Sequence, residues 1–393
     1  MSYAFRSINA LLGPEIATEF GLGAAELGLL TSVYFLAFGL LQIPFGVLLD
    51  RYGPRRVDAG LLVVASIGAL AYALAPSFAG VVAGRALIGA GVAVALMASF
   101  QAFVLWYPME RIATMNSRAF AVGILGAITV TVPLEAALRF ADWRSIMIGA
   151  AALALAASAT IFFVVPEHER DRSRVSLGAT LAGIRVLIAD PALRRVAVMA
   201  GTSQSAVVAL STLWIATWLR DVAGYDRAGV GQGLLVVNLA LIAGFLVFGR
   251  MADARTRLGG SMLPIIAGGV ALAALCLGLL VLGVVKGGLA LWALFTFFGT
   301  AATLGYSMLS RRYPKELAGR VNTTLNTFIF IGMFVAQWAV GLVLERWPPT
   351  DGGYPPEAYS WALGSLWALQ LAGLAWFWNG RRLLTKVPVD SAA

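Results

Sequence analysis

Charge is what this sequence lacks. Of its 393 residues only 12% are Asp, Glu, Lys or Arg, against 60% apolar, and the mean hydropathy is +0.83. A soluble domain carries about 25% charged residues, so this chain has half the polar material needed to coat a globule. That excludes an ordinary water-soluble enzyme, and the apolar excess excludes a disordered chain. Cysteine is almost absent: Cys276 alone, inside an apolar run, rules out a disulfide framework and gives no redox or metal signal. Histidine is as scarce, and His168 falls in a charged loop, so no histidine metal site is expected. The opening residues carry no basic region and no cleavage pattern, so no secretory signal is read.

Long apolar runs are present instead. A bilayer-crossing helix needs about 20 largely apolar residues. Complete candidates lie at roughly 27–49, 57–75, 79–106, 117–138, 145–165, 195–219, 230–249, 261–285, 288–310, 321–344 and 359–379. A twelfth, from Met1 to about Phe20, is short and carries Arg6, Glu15 and Glu19. Runs this long and this rich in Gly and Ala predict packed transmembrane helices. No alternating ten-residue strands occur, so a β-barrel is not expected.

The net charge of +9 would suggest nucleic acid if the basic residues clustered on one soluble face. They fall instead in short bursts between the spans. With the loop at 50–56 placed in the cytoplasm, 21 Lys and Arg face inward and six outward, while Arg6 and Arg85 lie within apolar helices. This positive-inside bias puts both termini in the cytoplasm, and a bacterial inner membrane is the expected location.

The two halves of the chain resemble each other. Gly46-x3-Asp50 is matched by Gly249-x3-Asp253, an offset of 203. Tyr107-Pro108-x-Glu110 with Asn116 is matched by Tyr313-Pro314-x-Glu316 with Asn322, an offset of 206. Two matches at nearly one offset argue for a duplicated six-helix unit. The expected organisation is a bundle over 1–166, a basic cytoplasmic linker over 167–194 and a second bundle over 195–393. Parallel repeats of this kind place a transport site at the midplane between halves. The offset also puts the expected start of the first helix about 8 to 11 residues before Met1.

At this point the residues carry a family resemblance. Gly46-Val-Leu-Leu-Asp50-Arg51-Tyr-Gly53-Pro-Arg55-Arg56 resembles the loop signature of the major facilitator superfamily, and Arg85-Ala-Leu-Ile-Gly89-Ala-Gly91 is similar to its second motif. The resemblance covers nearly the whole chain and implies an all-α membrane fold of twelve helices in two pseudo-symmetric six-helix bundles. It also implies a secondary transporter with a cytoplasmic latch, in which Asp50 faces the positive end of the eleventh helix, near Asn322-Thr323-Thr324. Gly46 would allow close helix approach, while Arg51, Arg55 and Arg56 anchor the loop. The second copy, with Gly249 and Asp253, departs from the pattern where Ala254 and Thr256 replace Arg and Gly.

Charge inside a membrane is costly, at least about 2.5–3.5 kcal/mol for Arg at a helix centre, so Arg6 and Arg85 are the functional candidates. The repeat sets Arg6 opposite Ala209. A guanidinium there forks onto a carboxylate, nitrate or phosphate, which suggests an anionic substrate. The motif resemblance implies a structural or proton-linked role for Arg85. Asn9, Gln101, Gln204, Trp214, Asn238, Tyr306 and Asn326 are the further candidate substrate contacts, with Thr212, Trp218 and Gln337 beside them. Helix centres hold no carboxylate, and Asp58 and Glu135 are the nearest candidates for proton coupling. The expectation is a small-organic-anion transporter working by alternating access, with the bilayer, a small solute and protons as partners, as a monomer without cofactor or metal. The alternative is a multidrug or metabolite exporter with neutral or cationic cargo. A receptor or scaffold would need appended soluble domains, for which linker and tail are too short. No phosphate loop, metal cluster or nucleophile–base pair supports an enzyme.

Overall fold

The computed structural model describes residues 1–166, 177–283, 288–313, 315–349 and 353–385, and the elements assigned among them are helices. His168 and Pro314 lie outside the described residues, as do the side chains of Glu110, Asn116 and Glu316. The chain forms two compact units, Met1–Ala179 and Thr180–Ala393. The first holds α1 (Ser2–Ser7), α2 (Asn9–Phe20), α3 (Ala24–Tyr52), α4 (Pro54–Leu74), α5 (Phe78–Trp106), α6 (Met109–Ile128), α7 (Val132–Ala137) and α8 (Trp143–Val164). Helix α9 (Leu177–Ala189) crosses the boundary, and the second unit holds α10 (Pro191–Asp221), α11 (Arg227–Arg257), α12 (Leu263–Val281), α13 (Leu289–Ser310), α14 (Lys315–Leu344), α15 (Pro356–Asn379) and α16 (Arg381–Thr385).

Among the described residues nine helices are long and apolar enough to cross a bilayer, where the sequence suggested eleven complete spans. Two expected spans account for the difference. The run at 117–138 is interrupted after Ile128, leaving Leu125–Ala137 as a shorter apolar piece. The run at 359–379 does form a 24-residue helix, α15, but one that carries four Trp, two Ser and Gln370.

The surface is inverted relative to a soluble protein. On α8, Phe163 is 80% exposed, Val164 71% and Leu153 63%. Apolar exposure on this scale is tolerated only where lipid is the solvent. The interior is where hydroxyls are used. Ser66 donates to the Ala151 carbonyl at 2.8 Å and Ser158 to that of Ala59 at 2.7 Å, so α4 and α8 are joined twice. Such bonds are worth about 0.6 kcal/mol each between membrane helices.

Helix α5 approaches two neighbours at backbone distance. A Cβ on Gly84 would fall 2.5 Å from the Tyr72 nitrogen, one on Gly91 2.3 Å from that of Ala65, and one on Gly89 2.4 Å from the Tyr34 carbonyl oxygen. The second sequence motif is therefore a packing face, and it brings Arg85 between α3 and α4. At Gly53 the backbone has φ +81°, which favours glycine. It ends α3, and Pro54 opens α4 at the position where a missing N–H costs nothing. In the second copy Thr256 stands there, stays helical, and α11 runs on to Arg257.

Candidate functional site

Both arginines that the sequence sets within apolar helices belong to one cluster in the first unit. Arg85 is fully buried. Its Nη1 donates to the Phe5 carbonyl at 2.7 Å and its Nη2 to the Arg6 carbonyl at 3.3 Å, at the junction of α1 and α2. The guanidinium lies 4.9 Å from the Tyr34 ring centroid, and its Nε has no hydrogen-bond partner. Among the described residues no carboxylate forms a salt bridge with it. The Arg6 guanidinium lies 5.1 Å from the Tyr3 ring and 5.7 Å from that of Phe38, contacts worth about 0.5–1 kcal/mol where solvent reaches. Gly123 makes room for Tyr3, since a Cβ there would meet the ring at 3.0 Å. Two fixed positive charges thus share one aromatic-lined region, joined through a single peptide carbonyl.

Asn9, a predicted substrate contact, is completely buried and engaged on both sides. Its Nδ2 donates to Thr31 Oγ1 at 3.3 Å and its Oδ1 accepts from Tyr72 OH at 3.1 Å. It joins α2, α3 and α4. Gln101 sits near the end of α5 and donates from Nε2 to Asp50 Oδ1 at 3.0 Å, so it meets the loop motif. Glu135 accepts from Nε and Nη2 of Arg139, each at 3.1 Å. Asp58 is buried with Oδ1 unpartnered.

In the second unit the predicted polar residues pair largely with one another. Tyr306 OH donates to Asn326 Oδ1 at 2.6 Å, and Ser310 Oγ to Asn322 Oδ1 at 3.0 Å, two rungs between α13 and α14. Trp214 is buried and donates from Nε1 to the Gln337 carbonyl at 3.0 Å, while Thr212 donates to Gln337 Oε1 at 3.3 Å. These two contacts sit on a π-helical turn, Leu210–Trp214, that interrupts α10, a local irregularity frequent at functional sites. Asn238 bonds its own helix at the Leu234 carbonyl, 2.8 Å away. Gln204 is half-buried, and its Oε1 has no hydrogen-bond partner.

The C-terminal end of α10 is clasped. The Asp221 side chain is buried and accepts from Arg220 Nε at 2.6 Å, from the Tyr354 amide at 3.1 Å and from Tyr359 OH at 2.8 Å. Gly353 has φ +117°, and a Cβ there would lie 2.3 Å from Asp221 Cγ. Gly353→Ala is expected to break this clasp at a cost of about 1–3 kcal/mol, read as a lower Tm in detergent with the Tyr354 amide losing hydrogen-exchange protection. An unchanged Tm would show that the loop after α14 adds nothing to the fold.

The loop motif is anchored within its own unit. Arg55 donates to the Phe162 carbonyl at 2.8 Å and lies 5.1 Å from that ring, complementing the negative end of α8. Arg51 stacks on Tyr52 at 5.3 Å. Asp50 and Arg51 are exposed, as is Arg56. A Cβ added at Gly46, or at Gly249, would meet no atom within 4 Å. Asp253 is also exposed. The Tyr-Pro motif gains a role in the second unit, where Tyr313 OH donates to Asp190, the N-cap of α10. Burial first, then the Asp190 carboxylate, pushes the Tyr313 phenol well above its ordinary range, so it remains a donor at any physiological pH.

The family model described as Major Facilitator Superfamily matches residues 1–337. The chain belongs to that superfamily. It is 35% identical over 102 residues to the inner membrane transport protein YajR of Escherichia coli (strain K12), a stretch covering 24% of this chain and 22% of YajR. It is 24% identical over 401 residues to the D-galactonate transporter of Escherichia coli O6:H1 (strain CFT073), covering 93% and 90% of the two chains. In structure it resembles a bacterial homolog to the human lysosomal transporter Spinster, in an inward-facing and unoccupied conformation. The TM-score is 0.78 at 15% identity, over 100% of this chain and 96% of that one. The chain is thus an all-helical membrane transporter of the major facilitator superfamily.

Proposed function

We propose that this superfamily member is a secondary transporter moving a small organic anion across the bacterial inner membrane by alternating access. The observation that carries the reading is the pair of intramembrane arginines. Arg85 is buried without a carboxylate partner among the described residues, and Arg6 stands one carbonyl away. An uncompensated cation in a low-dielectric interior is expensive, and an anionic ligand arriving beside it recovers part of that cost. A carboxylate fits the forked guanidinium donors. The D-galactonate relative handles a molecule of this charge. Asp58 is the described carboxylate best placed to hold a coupling proton. The chain works as a monomer, with no cofactor.

The test is thermal stabilisation of the purified protein by acetate, lactate, D-galactonate, glucarate and phosphate, against choline, tetraphenylphosphonium and xylose. A ligand at 100 times its Kd adds about 2.7 kcal/mol. One or more of the carboxylates is expected to raise Tm, and the same anion to exchange across proteoliposomes. Stabilisation by the cations or xylose alone would overturn the reading in favour of an exporter of neutral or cationic cargo.

A further inference from the structure

Helices α10 and α15 of the second unit meet along a seam of small residues. A Cβ on Gly373 would fall 2.1 Å from Thr202 Oγ1, and one on Gly380 2.7 Å from Arg195 Cδ. On α10, Arg195, Val198 and Thr202 share one face at helical spacing, as do Gly373, Trp376 and Gly380 on α15. Where the seam ends, Arg195 lies 3.7 Å from the Trp376 ring centroid and donates to the Trp376 carbonyl. Arg381 donates to the Trp378 carbonyl at 3.3 Å and lies 5.2 Å from that ring. The turn that carries Arg381 is itself held, because Arg312 donates to the Leu383 carbonyl at 3.0 Å.

The charge at this end is unbalanced. A helix C-terminus carries about half a negative charge, and two arginines are set on the last carbonyls of α15. Among the described residues neither Arg195 nor Arg381 forms a salt bridge. Asp190, the acid nearest in sequence to Arg195, already accepts from the Ala192 amide at 2.7 Å and from Tyr313 OH. The surroundings suit a lipid. Trp376 is 48% exposed and Trp378 42%, amphipathic rings of the kind that settle at headgroup level. Further into the span, exposed Val198 and Leu369 continue the same two faces as apolar surface. We propose that this end of the α10–α15 seam binds one anionic phospholipid. Each guanidinium has five N–H donors and spends one on a carbonyl, so Arg195 and Arg381 take the phosphate with those that remain. Trp376 and Trp378 flank the glycerol, and an acyl chain lies along Val198 and Leu369. The site is independent of the transported solute.

The experiment is native mass spectrometry with thermal shift on the delipidated full-length protein in neutral detergent. The probes are palmitoyl-oleoyl phosphatidylglycerol, phosphatidylcholine with the same chains, and soluble glycerol phosphate. One phosphatidylglycerol is expected to bind and to raise Tm, while the other two probes do neither. The double variant Arg195→Gln, Arg381→Gln should weaken its apparent Kd by about thirtyfold, the loss expected for two charges at a headgroup. Glutamine keeps an N–H for each carbonyl, and lipid-free Tm checks that the helix end stays folded. Lysine at both positions keeps the charge and should recover most of the affinity. Arg250→Gln with Arg257→Gln removes two exposed charges from α11 and should leave the Kd unchanged. Equal weakening by that control pair would reduce the site to diffuse surface charge and overturn the proposal. Equal binding of phosphatidylcholine would overturn it as well, as would a double variant that keeps its phosphatidylglycerol. Stabilisation by glycerol phosphate as strong as by the lipid would assign the arginines to a soluble phosphate instead.

Discussion

Arg6→Ala is expected to cut the carboxylate-induced rise in Tm to about a third or less while leaving the unliganded protein close to its original stability. The asymmetry follows from what Arg6 touches. Its guanidinium lies over Tyr3 and Phe38 at 5.1 and 5.7 Å, and losing both contacts costs about 1–2 kcal/mol. The backbone carbonyl that anchors Arg85 is untouched by the substitution, so the junction of α1 and α2 keeps its bond. Losing a desolvated, forked bond to a bound anion costs about 2–5 kcal/mol, a weakening of Kd by about thirtyfold or more. A ligand at 100 times the wild-type Kd then contributes about a third or less of its original stabilisation. Arg6→Lys separates charge from geometry: it keeps the cation and loses the fork, so it should recover part of the affinity. The check is the solute panel repeated on both variants. A collapse of unliganded Tm with an intact carboxylate shift would show Arg6 to be a strut of the first helix.

Depth in the membrane was legible in the sequence, and direction was not. The run at 145–165 anticipated α8 because a span is recognised by length and apolarity alone, and α8 is apolar on every face. Its ends were harder. Helix α3 extends from Ala24 to Tyr52, past the apolar core at 27–49, because polar flanks continue the same hydrogen-bonded helix outside the hydrocarbon. Azimuth decided the fate of the polar candidates. Asn9 and Gln101 were read as cavity residues because amides inside a membrane need partners. Which partner depends on the face turned toward each neighbour, and that requires the tertiary packing. Asn9 found Thr31 and Tyr72, 22 and 63 residues away, and Gln101 found Asp50. The π-turn at Leu210–Trp214 carries no Pro or Gly to announce it.

The glycines of the second motif illustrate what one strand of sequence conveys. Arg85-x3-Gly89-x-Gly91 shows that α5 approaches something closely, and the structure supplies two answers, Tyr34 on α3 and Ala65 on α4. Among the described residues no carboxylate pairs with Arg85. Its bonds go to the neutral carbonyls of Phe5 and Arg6 instead.

Arg85→Met is therefore expected to separate function from stability. Exchanging an unpaired buried charge for an apolar side chain of similar length removes a desolvation cost of several kcal/mol. Against this stand two carbonyls that lose their donor, at about 1–3 kcal/mol each, and the stacking on Tyr34 at 4.9 Å. The opposing contributions are of similar size, so unliganded Tm should move little or rise. Transport of the anion should fall to background, because half the positive field is gone and the carbonyl that fixes the Arg6 backbone has lost its tether. Residues that weaken a fold persist where they act on a substrate, and those that strengthen it persist regardless. The decisive pair of measurements is Tm and anion exchange in proteoliposomes on the same preparation. A Tm drop of more than about 10 °C with normal exchange in the surviving folded fraction would make Arg85 a structural clamp, and the anion site would then rest on Arg6 alone.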